Sequence, residues 1–222
     1  MMKIIGHRGA KGLAPENTLV SFDKAIEHGV DEIEFDVRVT KDGIAVIQHD
    51  PDLHDPAGNK LNVAASNYDE LMAHKPDLVT FEEAMRSINR LVPVLIEIKP
   101  KVPTGPVVKA IKLLEADGWS GENMVVGSFS QAVLIDIKSA LPHLSLVVIE
   151  SWSGVRATWR ARRLNTKRVN MNQRWLWSGF IKAMYNRGYK LAPYTLNSPE
   201  KAKRWAKYGL YATITDYPDR YN

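Results

Sequence analysis

Short apolar runs alternate with longer stretches of helical period along the whole chain, a pattern that predicts repeated βα units around a parallel sheet. The strand-like runs are 3–6, 32–39, 94–99, 124–127, 145–149, 168–171, 190–196 and 212–215. Helical periodicity covers 18–28, 80–89, 105–117, 131–140, 154–164, 176–187 and 199–208. Helix starts support several of these: Asn17 reads as an N-cap, Thr80 precedes Glu82 and Glu83, and Ser198-Pro199-Glu200 sets proline in a first turn. Strands and helices in this number predict an α/β fold, a (β/α)8 TIM barrel, with the functional groups at the carboxyl ends of the strands. A doubly wound open sheet competes, but no Gly-x-Gly-x-x-Gly turn follows the first strand.

Residues 43–79 are too many for a plain βα connection, and Ile44-Ala45-Val46-Ile47-Gln48-His49 within them looks like a further strand. The expectation is a hairpin partner for the second strand followed by a small inserted excursion over the barrel mouth. A chain of 222 residues then accommodates one domain, 1–222.

The chain has no cysteine, which excludes disulfides, thiolate ligands and a cysteine nucleophile and leaves oxygen and imidazole as metal donors. After Met1-Met2-Lys3 the apolar run is only Ile4-Ile5, short of the roughly 7 residues that a signal-peptide core needs. A soluble, cytoplasmic protein without a membrane span is expected. Charge is uneven: residues 1–150 carry 15 Lys+Arg against 22 Asp+Glu, residues 151–222 carry 15 against 3. Arg156, Arg160, Arg162, Arg163, Lys167 and Arg168 form a dense basic cluster. It reads first as a solvated helix face, second as a surface that steers anionic substrates or touches nucleic acid or a membrane.

Candidate chemistry gathers at the predicted strand ends. Ile4-Ile5-Gly6-His7-Arg8-Gly9 delivers an imidazole and a guanidinium together, a pairing suited to proton transfer beside an anion. In Glu32-Ile33-Glu34-Phe35-Asp36-Val37 the period of two puts Glu34 and Asp36 on one face and the apolar side chains on the other. Glu97 and Lys99 repeat the pattern in Leu95-Ile96-Glu97-Ile98-Lys99. One such pair alone is ordinary for a half-solvated antiparallel strand; two pairs on barrel strands covered on both faces are not. Crowded carboxylates need pairing or a metal, and an all-oxygen set favours a single Mg²⁺ or Ca²⁺. His49 ends an apolar run in Gln48-His49-Asp50-Pro51, so two strand-end histidines join the acids.

Taken in order, His7-Arg8-Gly9 with Pro15-Glu16-Asn17-Thr18, Glu34-x-Asp36, His49-Asp50, Glu97-x-Lys99, Tyr194-Thr195-Leu196-Asn197 and Thr215-Asp216-Tyr217-Pro218 resemble the glycerophosphodiester phosphodiesterase family across nearly the whole chain. The resemblance implies a TIM barrel that uses one divalent cation to hydrolyse glycerophosphodiesters to an alcohol and glycerol 3-phosphate. Carried over, Glu34, Asp36 and Glu97 bind the metal, His7 and His49 form the acid/base pair, and Arg8 and Lys99 touch the phosphate. Phe129, Tyr194 and Trp175 are candidates for the substrate pocket, and Glu16 and Asn17 for support behind the site. Trp175 and Trp177 are otherwise expected to pack between helix and barrel.

Two departures stand out: Tyr194 where the family usually has tryptophan, and Leu53-His54-Asp55-Pro56 where it often has an Arg-Thr-Thr turn. The partner expected is a small soluble diester, with no nucleic acid and the oligomeric state left open. Two other readings remain at this point: a lysophospholipase D or sphingomyelinase D type enzyme on lipid substrates, and a catalytically silent barrel that binds anions or nucleic acid.

Overall fold

A computed structural model describes residues 2–54 and 58–221. In chain order the elements are β1 (Lys3–Gly6), α1 (Leu19–Glu27), β2 (Glu32–Val39), β3 (Ala45–Ile47), β4 (Asp52–His54), β5 (Lys60–Asn62), α2 (Tyr68–His74), α3 (Phe81–Ile88) and β6 (Val94–Ile98). They continue with α4 (Thr104–Ala116), β7 (Met124–Ser128), α5 (Gln131–Ala140), β8 (Ser145–Glu150), α6 (Gly154–Arg163), β9 (Arg168–Asn172), α7 (Ser178–Asn186), β10 (Lys190–Tyr194), α8 (Pro199–Ala206) and β11 (Ala212–Thr215).

Among the described residues, eight parallel strands run in the order β10-β9-β8-β7-β6-β2-β1-β11. The β10–β11 seam is drawn together by Tyr211 N–H donating to Leu191 O (3.1 Å) and Leu196 N–H donating to Ile214 O (2.8 Å), giving a nearly closed (β/α)8 barrel. The largest apolar cluster lies between barrel and helices: Phe35, on the outer face of β2, packs against Phe22 of α1 and Phe81 of α3 at ring separations of 5.7 and 6.0 Å. Two smaller clusters fill the interior, Leu95, Val125, Val147 and Ile149 on one side and Ile5, Ala192, Ala212 and Ile214 on the other.

The hairpin partner forms as expected, with β3 antiparallel to β2 in the register Val37↔Ile47. The excursion beyond it has more structure than the sequence suggested: a two-stranded β4–β5 ribbon, a 3₁₀ turn and α2. Val46, Leu53, Val63, Leu71 and Leu78 give it a small core of its own. Within the departing turn at 53–56, Asp55 and Pro56 lie outside the described residues.

At α1 the N-cap is Thr18, whose hydroxyl accepts from Ser21 N–H, and not Asn17. Asn17 sits one residue earlier in left-handed backbone (φ 59°), which keeps it out of the helix and frees its amide.

Candidate active site

Strand register assembles the acids. In the parallel β2–β6 pair Asp36 lies beside Glu97, and period two sets Glu34 one pleat away on the same face. The three carboxylates are buried, and their nearest oxygens lie within 4.8 Å of one another. That is the donor set a hard divalent ion takes: oxygens only, crowded, and shielded from water. Burial, reinforced by Asp36, pushes the Glu97 carboxyl up to about 7, and burial with both neighbouring acids lifts Glu34 well above the usual carboxylate range. A bound cation is the natural relief of that crowding, so the residues fit the metal that the sequence implied.

Two cations of the chain reach the same acids. The Lys99 ammonium lies 2.5 Å from Asp36 Oδ1 and contacts Glu97 Oε1. Arg8 Nε stands 3.2 Å from Asp36 Oδ2, off the line of a hydrogen bond, so that contact is one of charge. Burial alone would raise Asp36, but Lys99 and Arg8 outweigh it and hold the carboxyl down at about 2. The His7-Arg8-Gly9 turn makes this possible. Arg8 has φ 50° and Gly9 φ 83°, and a Cβ on Gly9 would stand 2.2 Å from Ser21 Oγ. With the chain so bent, Arg8 N–H donates to Glu34 Oε2 (2.9 Å).

Glu16 accepts from Arg8 Nη1 (2.7 Å) and faces Lys11 Nζ (2.6 Å), fixing the far side of the guanidinium. Asn17 donates to Asp36 Oδ2 (2.9 Å) and accepts from Asp36 N–H, so both lie directly behind the charged cluster.

The two histidines are held alike. His7 Nδ1 bonds Asp216 Oδ1 (2.6 Å) at the end of β11, and His49 Nδ1 bonds Asp50 Oδ1 (2.8 Å), which leaves Nε2 of each ring as the free nitrogen. Burial, then the Lys99 charge, lowers His49 below its ordinary value. Asp216 also accepts from Asn197 Nδ2 (2.8 Å); burial pushes its carboxyl up, but the bonds from His7 and Asn197 win and keep it below the usual range. Arg38 donates from Nε and Nη2 to His49 O (2.9 and 2.7 Å), pinning the histidine loop.

Sequence reasoning gave no role to Asp216, Asn197 or Arg38. Arg38 shares the Glu34–Asp36 face of β2, and Asp216 and Asn197 lie in quoted motifs, so period and motif were the available signals.

The opposite half of the mouth is aromatic. Phe129 and Tyr194 meet edge to face at 6.0 Å, and Tyr194 OH donates to Glu150 O (3.1 Å). Burial raises the Tyr194 phenol to about 12. Trp175 and Trp177 do not pack between helix and barrel; both are largely exposed, Trp175 beside Trp152 at 6.3 Å. The basic cluster is likewise not one solvated face. Arg156 grips Glu150 through two bonds of 2.6 Å, Arg160 is buried against Ile149 O and Ser128 O, and Arg168 pairs with Glu32 below the barrel.

The model of the glycerophosphoryl diester phosphodiesterase family matches residues 7–220. The chain belongs to that family. Membership makes it a phosphoric diester hydrolase and sets aside the catalytically silent barrel. A glycerophosphodiester phosphodiesterase of Bacillus altitudinis is 27% identical over 99% of this chain and 96% of its own length. One from Caldanaerobacter subterraneus is 28% identical over 97% and 94%. Among solved structures, an Oleispira antarctica phosphodiesterase in complex with the product sn-glycerol-3-phosphate superposes with TM-score 0.85 at 24% identity, covering 99% of this chain and 94% of that one.

Proposed function

We propose that this chain, acting as one catalytic domain, hydrolyses glycerophosphodiesters to an alcohol and glycerol 3-phosphate with a divalent cation, Mg²⁺ or Ca²⁺, and two histidines. The observation that carries the reading is the meeting, at one barrel end, of three buried carboxylates, two cations and two imidazoles each oriented by a carboxylate. Glu34, Asp36 and Glu97 would hold the cation, which when bound supplies positive charge to the phosphoryl oxygens as they gain negative charge. Arg8 and Lys99 add fixed positive charge for the same oxygens.

Asp216 keeps the His7 Nδ1–H in place, so the Nε2 lone pair faces out to take a proton from the attacking hydroxyl. His49, whose lowered pKa makes its imidazolium a ready donor, protonates the departing alkoxide. With the glycerol's adjacent hydroxyl as attacker, the first step closes a cyclic phosphate; water opens it in the second, with the two histidines exchanging roles. Phe129, Tyr194 and Trp175 would wall the glycerol or alcohol side. A cytoplasmic location suits a water-soluble diester, and no helix among the described residues is long and apolar enough to cross a membrane.

Asp216→Asn is expected to lower kcat about 10²-fold with KM little changed, because the amide can hold the wrong tautomer of His7. An equal rise in KM would mean that Asp216 shapes the binding site instead. The reading as a whole is tested by assaying glycerophosphodiester hydrolysis after chelation and then restoring divalent ions singly. Activity should vanish and return with one of them, glycerol 3-phosphate appearing as product. Full turnover in the chelated enzyme would defeat the metal-dependent scheme.

A further inference from the structure

The six tryptophans divide sharply: Trp119 and Trp205 are buried, whereas Trp152 is 69% exposed, Trp159 52%, Trp175 48% and Trp177 62%, with Val155 at 81%. Indole is costly to leave in water, and single exposed apolar residues are ordinary while a contiguous group is not. These are contiguous. Trp152 meets Trp175, a Cβ on Gly154 would stand 2.5 Å from the Phe180 ring, and Phe180 packs on Trp177 at 5.4 Å. Val155 and Trp159 continue one helical turn down the same side of α6. The group surrounds the first turns of α6 and α7, which directly follow β8 and β9, so it borders the barrel end that carries the acids and histidines.

Cations border it. The Arg163 guanidinium covers the Trp159 ring at 4.9 Å, and Arg174, Lys201 and Arg204 line a groove with Trp177. Arg156, beside Val155, is held by Glu150 and adds no net charge. Tryptophans bordered by arginine and lysine match the boundary between lipid headgroups and acyl chains, where an indole is half wet and a cation meets phosphate.

We propose that this face docks on an anionic phospholipid bilayer and holds the barrel mouth at the lipid–water interface. The chain would lie on the membrane and not span it, and the cytoplasmic leaflet supplies the anionic surface. The inference is independent of the reaction scheme: a protein that fails to dock can still hydrolyse soluble diesters.

The test is flotation with vesicles of phosphatidylcholine alone and of phosphatidylcholine mixed with phosphatidylglycerol, read together with quenching of tryptophan fluorescence by brominated lipid. Binding and quenching should require phosphatidylglycerol and fall with added salt. Val155→Glu and Trp159→Glu should each weaken binding about tenfold or more, with hydrolysis of a soluble glycerophosphodiester unchanged. Val155 is exposed, and Val155→Glu adds an acid to the first turn of α6, where it favours the helix, so the variant is expected to fold and thermal melting checks it. Equal binding to both vesicle types, no binding to either, or wild-type binding by both variants would overturn the proposal. So would a dimer that Val155→Glu dissociates, or capture of single-stranded nucleic acid in place of the vesicles.

Discussion

His7→Asn is expected to lower kcat for glycerophosphodiester hydrolysis about 10²- to 10⁴-fold, the range that a positioned acid or base contributes. Asparagine is the informative replacement. Its amide nitrogen falls where Nδ1 stands and can still donate to Asp216, so the hydrogen bond between the ends of β1 and β11 survives, while the group at Nε2 that takes and returns the proton is lost. Among the described residues the His7 ring bonds Asp216 and Thr195 and none of the three carboxylates. Cation affinity, measured by calorimetry on the chelated and reloaded protein, should therefore be unchanged. Loss of affinity in step with rate would make His7 a metal ligand and remove it from proton transfer. The same substitution at His49 should resemble it in rate, since that ring too is tethered through Nδ1 and open at Nε2.

How much of this site could be read from sequence follows from how far each contact depends on period or on closure. Glu34, Asp36, Glu97 and Lys99 were legible because a strand's period of two fixes the face of each residue before any partner is known. Their mutual approach needed only that β2 and β6 be neighbours, which the βα alternation already implied. Asp216 was not legible as the partner of His7, because 209 residues separate them and only the β1–β11 pairing, Gly6↔Thr215, brings them together.

Arg38 could be placed on the right face, but its partner is the backbone carbonyl of His49, and no side-chain pattern marks a carbonyl. Asn17 and Thr18 are both good caps on chemistry alone; the left-handed backbone at Asn17 decides between them and turns its amide to Asp36. The basic cluster misled for the opposite reason. Residues adjacent in sequence were dispersed by the helix to Glu150, to the interior and to Glu32, so a run of charge in the chain is not a patch on the molecule. The excursion's helix α2, seven residues long, gave too little periodicity to be seen.

Lys99→Met should separate cation binding from turnover. The ammonium now sits between Asp36 and Glu97, two of the three proposed ligands, so it both neutralises the acids and competes with any cation they hold. Methionine keeps a chain of similar length without the charge. In the metal-free protein the carboxylates lose their nearest counter-charge, and breaking a buried pair in this way costs about 3–5 kcal/mol, which should appear as a clear drop in thermal midpoint. Part of that loss is recovered by proton uptake, since Glu97 already stands at about 7 and would rise further. Adding a divalent cation should restore the midpoint and, with the competing charge gone, bind at least about tenfold more tightly than to the unaltered protein. Turnover should nevertheless fall about 10²- to 10³-fold, the cost of removing one preorganised charge from the phosphoryl oxygens. Tighter cation binding beside slower hydrolysis is the signature to look for. If affinity and rate fell together, Lys99 would be holding Asp36 and Glu97 in place for the cation, and its role as a phosphate contact would have to be abandoned.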